Sequence, residues 1–264
     1  MKAADGQASA CVTDATDEQS VVDLFDAVEA AGGHIACVIY NVGNNTPGRI
    51  HDMTASYFEQ SWRTICLGGF LFGRETVRRM RAAGQRSSVP RTLIFTGASA
   101  SLRGRAGYGA FNAAKGGLGN LAAALAKEHA SDGIHISHVV IDGGIDGDKM
   151  DQAMPDGTKK AACEQLIDLK GIAASYWFLH QQDRRAWTFE LDLRTWQEQW
   201  QWAALARRYE PPPQRLFNSH RRIHERGWRR HHVMWIKNRR ARAVALLDGE
   251  TCAINRLSSY AHSR

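Results

Sequence analysis

Residues 91–130, RTLIFTGASASLRGRAGYGAFNAAKGGLGNLAAALAKEHA, constrain the fold more than any other stretch of the chain. A short β-prone run over 92–96 follows Pro90 and Arg91 and is expected to stop at Gly97. A Gly/Ser-rich loop comes next. From Tyr108 onward the residues Phe111, Ala114, Leu118, Leu121, Leu125 and Ala126 recur at three- and four-residue steps, which places them on one face of a long amphipathic helix. Lys115 lies four residues after Phe111, on the same side one turn later.

The rest of the first 200 residues repeats this alternation, which predicts a parallel α/β sheet over residues 8–193. Residues 8–13 form a strand ending at Asp14, and Asp14-Ala15-Thr16-Asp17-Glu18 supplies N-cap and first-turn acids for a helix lined by Val21, Val22, Leu24, Phe25 and Val28. Gly32-Gly33 ends that helix. Residues 35–40 are continuously apolar, as in a strand covered on both faces, and lead into Asn41-Val42-Gly43-Asn44-Asn45. Such a loop is either a plain turn or one that brings backbone close to a ligand at the C-terminal end of the strand. Residues 58–83 read as the longest helix, with Gly68-Gly69 and Gly73 allowing another helix to approach. A third parallel strand spans 134–141 and runs into Asp142-Gly143-Gly144-Ile145-Asp146; a helix over 171–181 and a strand over 187–193 follow. His135 and His138 are expected as partly exposed residues at the edge of the core.

In this order the segments resemble the short-chain dehydrogenase/reductase family, a Rossmann-like doubly wound fold whose members bind NAD or NADP and move a hydride to or from an alcohol or carbonyl. The family's catalytic Tyr-x-x-x-Lys falls on Phe111 and Lys115, and its serine, thirteen residues before the tyrosine, falls on Ala98 with Ser99 adjacent. The catalytic Asn of the long helix falls on Ile65. The resemblance therefore implies impaired catalysis, or else a non-catalytic scaffold of the same fold; Tyr108 is read first as a structural residue at a helix start and second as a substitute proton donor. The family's cofactor contacts fall on Asp14, on Asn41-Val42-Gly43 in place of Asn-Ala-Gly, on Lys115, and on Asp142-Gly143-Gly144, where Gly143 replaces a proline. Family members begin with a strand and a Thr-Gly-x-x-x-Gly-x-Gly turn that holds the pyrophosphate. This sequence has no such turn, and residue 1 corresponds to a point just before the family's third strand, as in a divergent, N-terminally truncated member.

In the family's strand order 3-2-1-4-5-6-7, loss of the first two strands leaves the fourth as a bare edge. Either residues 8–13 close up beside 35–40, or the tail covers the edge. Ala243 through Leu247, Asp248-Gly249 and Glu250 through Ile254 carry a hairpin signal.

The domain division expected is 1–200 for the partial Rossmann-like domain and 201–264 for a basic extension. Lys and Arg number 14 in that extension against 4 Asp and Glu, so it carries +10 of a net +7 and the first 200 residues carry −3. Arg207-Arg208, Arg221-Arg222, Arg229-Arg230-His231-His232 and Arg239-Arg240, with Trp228 and Trp235 between them, can track phosphates and stack bases. A nucleic acid is the weaker reading of this bias beside plain solvated chain. His220 and His224 have helical metal-pair spacing but no companion ligands, so no metal site is expected. Five cysteines without a Cys-x-x-Cys spacing point to free thiols in a reducing, cytoplasmic compartment. No run approaches the roughly 18 apolar residues of a membrane span. The partners expected are a small-molecule substrate and a second copy of the chain packed through the helices at 58–83 and 108–129.

Overall fold

The computed structural model describes residues 7–31, 34–43, 46–84, 90–147, 164–197, 232–236 and 241–247. Strand β1 (Gln7–Thr13) leads through an Asp14 turn into helix α1 (Glu18–Ala30). The cap is Asp17, whose carboxylate accepts from the Ser20 amide; Asp14 instead accepts from the amide and hydroxyl of Thr16, both at 2.8 Å. Strand β2 (Ile35–Tyr40) is buried at all six positions. Helix α2 (Ala55–Trp62), a π-helical turn (Arg63–Leu67) and helix α3 (Gly68–Ala82) form one continuous helical run. It is thus not the single α-helix expected, and α4 (Gly109–His129), at 21 residues, is the longest helix described.

Strand β3 (Thr92–Ala98) runs two residues beyond the expected stop, because Gly97 pairs with Val140 and Ala98 with Ile141 of β4 (His135–Ile141). Helix α5 (Leu169–His180) and the short strand β5 (Glu190–Leu193) complete this half. Strand β5 starts three residues later than expected. Trp187 lies outside it, stacked on the His135 ring at 4.9 Å.

Among the described residues one sheet has the order β1-β7-β6-β2-β3-β4-β5, where β6 is His232–Ile236 and β7 is Ala241–Leu247. Strand β6 pairs parallel with β2, and β7 runs antiparallel to both β6 and β1. Strand β1 therefore does not close onto β2. The tail pairs both edges, as a hairpin one strand earlier than the sequence signal suggested: β7 contains 243–247, while 248–254 lies outside the described residues. So do Gly32-Gly33, the proline run 211–213 and His220 and His224.

The core lies between the sheet and helices α1, α3 and α4, with Phe25, Tyr40, Phe72 and Phe95 in contact across it. A second cluster, with Ile94, Val139, Tyr176 and Leu179, fills the opposite face under α5. Helix α3 meets the sheet and α4 through glycines. A Cβ on Gly69 would overlap Leu118 Cδ1; one on Gly68 would overlap the Tyr40 hydroxyl and lie 2.8 Å from the Ala15 carbonyl; one on Gly73 would lie 2.8 Å from Leu125 Cδ1. Gly116, on α4, has nothing within 4 Å of its Cβ direction.

These two environments predict opposite signs for the same substitution. Gly69→Ala should destabilise by ~1–3 kcal/mol through overpacking, whereas Gly116→Ala should stabilise by up to about 1 kcal/mol through helix propensity. Urea unfolding of both variants measures this, and equal effects would contradict the packing described.

Candidate active site

The parallel strands β2, β3 and β4 end together, so Asn41, Ala98 and Asp142 lie at one edge of the sheet. Open α/β sheets bind ligands at this carboxyl edge. The centre of the edge is Lys115. Its residue is 4% exposed, and its ammonium donates to the Thr96 carbonyl at 2.6 Å. The Phe111 ring centroid is 6.0 Å from Nζ, and a Cβ on Gly43 would lie 3.5 Å from Nζ and 3.9 Å from Ile65 Cγ1. Gly43, Ile65, Phe111 and Lys115 therefore form one cluster.

Each wall of that cluster has a local cause. Lys115 is buried because it falls on the core face of α4 beside Ala114 and Leu118. Ile65 is fully buried in the π-helical turn, a feature often found at functional sites. The Thr64 carbonyl of that turn accepts from the buried Tyr40 hydroxyl at 2.7 Å. Val42 is also fully buried, so its side chain belongs to the core and only its backbone is offered to a ligand. Asp14 is already engaged by Thr16.

On the other side of the edge, Asp142 is buried; its Oδ2 accepts from Arg103 at 3.0 Å and forms an ion pair with Arg194 at 3.0 Å. Gly143 has φ 155, which a proline ring, fixed near −65°, does not permit; the glycine there matches the turn the chain takes. The Gly144 carbonyl accepts from the Ile167 amide at 2.8 Å, tying the turn to the segment before α5. The Ser99 carbonyl accepts from the amides of Leu102 and Arg103, closing a one-turn helix over Ser99–Ser101. Tyr108 is the cap residue before α4 rather than part of the helical face, and its ring lies under the Arg105 guanidinium at 4.7 Å.

Two histidines depart from expectation. His135 and His138 are buried, at 3% and 1% exposure, because both faces of β4 are covered. Burial is offset by hydrogen bonds at both nitrogens of His138 and at Nε2 of His135, whose Nδ1 has no hydrogen-bond partner among the described residues. His135 Nε2 lies 2.9 Å from Ser137 Oγ and 3.0 Å from the Thr188 carbonyl, while His138 lies 3.0 Å from Glu190 and 3.2 Å from Ser101. Desolvation pushes the pKa of both rings down. The missed signal was Gly97 directly beside β4: a Cβ there would overlap His138 Nε2 and lie 2.8 Å from Cε1.

Burial also lowers the Lys115 pKa from 10.5 to about 8. Between those values the unfolded chain binds a proton that the folded chain has released, so folded stability rises with pH across this window. Below pH 8 the buried charge opposes folding by on the order of 3 kcal/mol. Isotope-labelled methyl-lysine spectra should therefore show one lysine with a midpoint near 8, absent from Lys115→Met. The stability of the wild type relative to that variant should rise from pH 8 to 10.5, and a Lys115 midpoint above 10 would contradict the site's desolvation.

Known proteins are similar to this chain in sequence and fold. Residues 1–190 match the family model described as Enoyl-(Acyl carrier protein) reductase. The chain is 32% identical over 135 residues to the uncharacterized oxidoreductase YxbG of Bacillus subtilis (strain 168), covering 51% of this chain and 47% of that protein. It is 30% identical over 128 residues to the cis-4-hydroxycyclohexanecarboxylate dehydrogenase of Sinomonas cyclohexanicum, covering 48% and 49%. The chain thus spans about half the length of these curated relatives. The crystal structure of a short-chain dehydrogenase from Rhodopseudomonas palustris superposes with a TM-score of 0.54 at 35% identity, covering 69% of this chain and 71% of that one. One from Bacillus anthracis, at 16% identity and TM-score 0.57 over 69% and 72%, shares the fold. The family-model match over residues 1–190 and the superposition at 35% identity agree, and the chain belongs to the short-chain dehydrogenase/reductase family.

Proposed function

We propose that this chain is an NAD- or NADP-binding oxidoreductase of the short-chain type, acting between an alcohol and a carbonyl, whose chemical step is impaired by its own side chains. The observation that carries this reading is Lys115: a buried ammonium at the carboxyl edge, tethered to the Thr96 carbonyl beside Gly43. The residues present fit the ribose and nicotinamide side of a dinucleotide. Lys115 has further N–H bonds for ribose hydroxyls, the Asn41 and Gly43 backbone borders them, and the Asp142-Gly143-Gly144 turn flanks the ring position. When bound, the nicotinamide supplies or accepts the hydride.

What these side chains fail to supply is the proton. Carbonyl reduction needs a donor at the developing alkoxide. Phe111 has no ionisable proton, Ala98 has no hydroxyl and Ile65 cannot relay one. Lys115 therefore holds a charge next to an apolar ring instead of lowering a phenol's pKa. The same three residues favour the second reading, a non-catalytic scaffold of this fold. Substrates are a small alcohol or carbonyl, and the Sinomonas relative puts cis-4-hydroxycyclohexanecarboxylate into the trial panel.

The discriminating experiment follows cofactor oxidation or reduction at millimolar NAD(H) and NADP(H) with aldehydes, ketones and that hydroxy acid. Wild type should turn over slowly. The double variant Phe111→Tyr/Ala98→Ser should be faster by about 10² to 10⁴-fold, the usual contribution of a positioned general acid. Equal background rates for both proteins would leave the scaffold reading, and fast turnover by the wild type would mean that Tyr108 or another group donates the proton.

A further inference from the structure

Behind the Lys115 cluster lies a second constellation that hydride transfer does not use. His138 projects from β4 into space left by two glycines, Gly97 on β3 and Gly119 on α4, whose Cβ directions both point at its ring. Its Nδ1 lies 3.0 Å from Glu190 Oε2 on β5, and its Nε2 lies 3.2 Å from Ser101 Oγ. Ser101 closes the single helical turn after β3 at the carboxyl edge, where it is partly exposed beside the exposed Leu102.

The hydrogen-bond directions follow from the chemistry of the three groups. An ionised carboxylate only accepts, so Glu190 fixes the proton on Nδ1 and leaves the Nε2 lone pair toward Ser101. Ser101 Oγ accepts from the Ala98 amide at 3.2 Å, which leaves its own proton for Nε2. Burial keeps the imidazole neutral near pH 7 by pushing its pKa below the ordinary histidine value. Carboxylate, imidazole and hydroxyl thus stand in the order that activates a serine for acyl transfer on unrelated folds.

We propose that Ser101, His138 and Glu190 form a charge-relay triad, and that Ser101 is a nucleophile toward activated acyl esters and fluorophosphonates. Ser101 Oγ attacks the acyl carbon as its proton passes to His138 Nε2. The bond to the leaving alkoxide breaks, and the alkoxide departs with that proton as the alcohol. Water, deprotonated by the same nitrogen, then releases the acid and restores the serine. The amides of Leu102 and Arg103 both bond to the Ser99 carbonyl, so the two N–H groups after the nucleophile do not form an oxyanion hole. The chemistry expected is accordingly slow and close to stoichiometric. This site is independent of dinucleotide binding and stands or falls separately from it.

The test incubates the full chain with a fluorophosphonate probe, which loses fluoride on attack, and maps the adduct by intact-mass and peptide mass spectrometry. One adduct per chain on Ser101 is expected, with a matching burst from p-nitrophenyl acetate. Ser101→Ala should abolish the adduct and His138→Gln should slow it more than 100-fold. Glu190 is half-exposed, so Glu190→Gln keeps the buried ring in place and should slow labelling 10- to 100-fold with an unchanged urea midpoint. No adduct on Ser101 overturns the proposal, as does labelling whose rate is the same in folded Glu190→Gln; the three groups would then be a hydrogen-bonded clip between β4, β5 and the turn after β3.

Discussion

The close approach of α3 to the sheet and to α4 decides where everything else can sit. Gly68, Gly69 and Gly73 remove side chains where Tyr40, Leu118 and Leu125 come closest, and the dense packing of a protein interior leaves no slack for a methyl group there. That seam fixes two phases at once. The π-helical turn before Gly68 carries Ile65 inward toward Gly43, and Leu118 locks the face of α4 that carries Lys115 one turn earlier. Phe111 follows one turn before Lys115. The site is therefore a consequence of helix packing rather than of any residue reaching across a cleft.

Around this seam several buried polar groups are satisfied locally, although the Thr64 and Thr76 hydroxyls have no hydrogen-bond partner among the described residues. Arg91 enters the core with its guanidinium bonded to the Met80 and Asp132 carbonyls, Asp142 is held between two arginines, and Thr96 meets the Tyr176 hydroxyl at 2.8 Å. Unpaired groups at these depths would each cost a few kcal/mol. Sheet edges are handled in the same way. Strands β6 and β7 take the two places between β1 and β2, so the facing sides of both pair with tail backbone, and β1 and β5 are the outer strands of the sheet.

Much of this was legible in the residues because two periodicities carry it. The continuous apolar run 35–40 and the three- and four-step pattern after Tyr108 read as a covered strand and a one-faced helix, and the Asn41, Ala98 and Asp142 positions at one edge follow from parallel pairing. Lys115 was placed by its spacing from Phe111. What composition could not reveal depends on contacts distant in sequence. The pairing of Gly97 with Val140 carried β3 past a residue that usually stops a strand, and the carboxylate that accompanies His138 comes from residue 190. The choice of hairpin in the tail was similarly non-local. Asp-Gly at 248–249 is a strong local turn signal, whereas the pairing of 232–236 with 35–40 leaves no short-range trace.

Lys115 and the Asn41–Gly43 backbone are proposed as a ribose-side dinucleotide site whose own contacts support only weak binding. Fluorescence titration of the full chain with NADH and NADPH, beside Lys115→Met, tests it most directly. Saturable but weak binding by the wild type is expected, with a Kd above about 10 μM, or less than roughly 7 kcal/mol, and a further loss in the variant. A Kd well below that value, or binding unchanged by Lys115→Met, would contradict it.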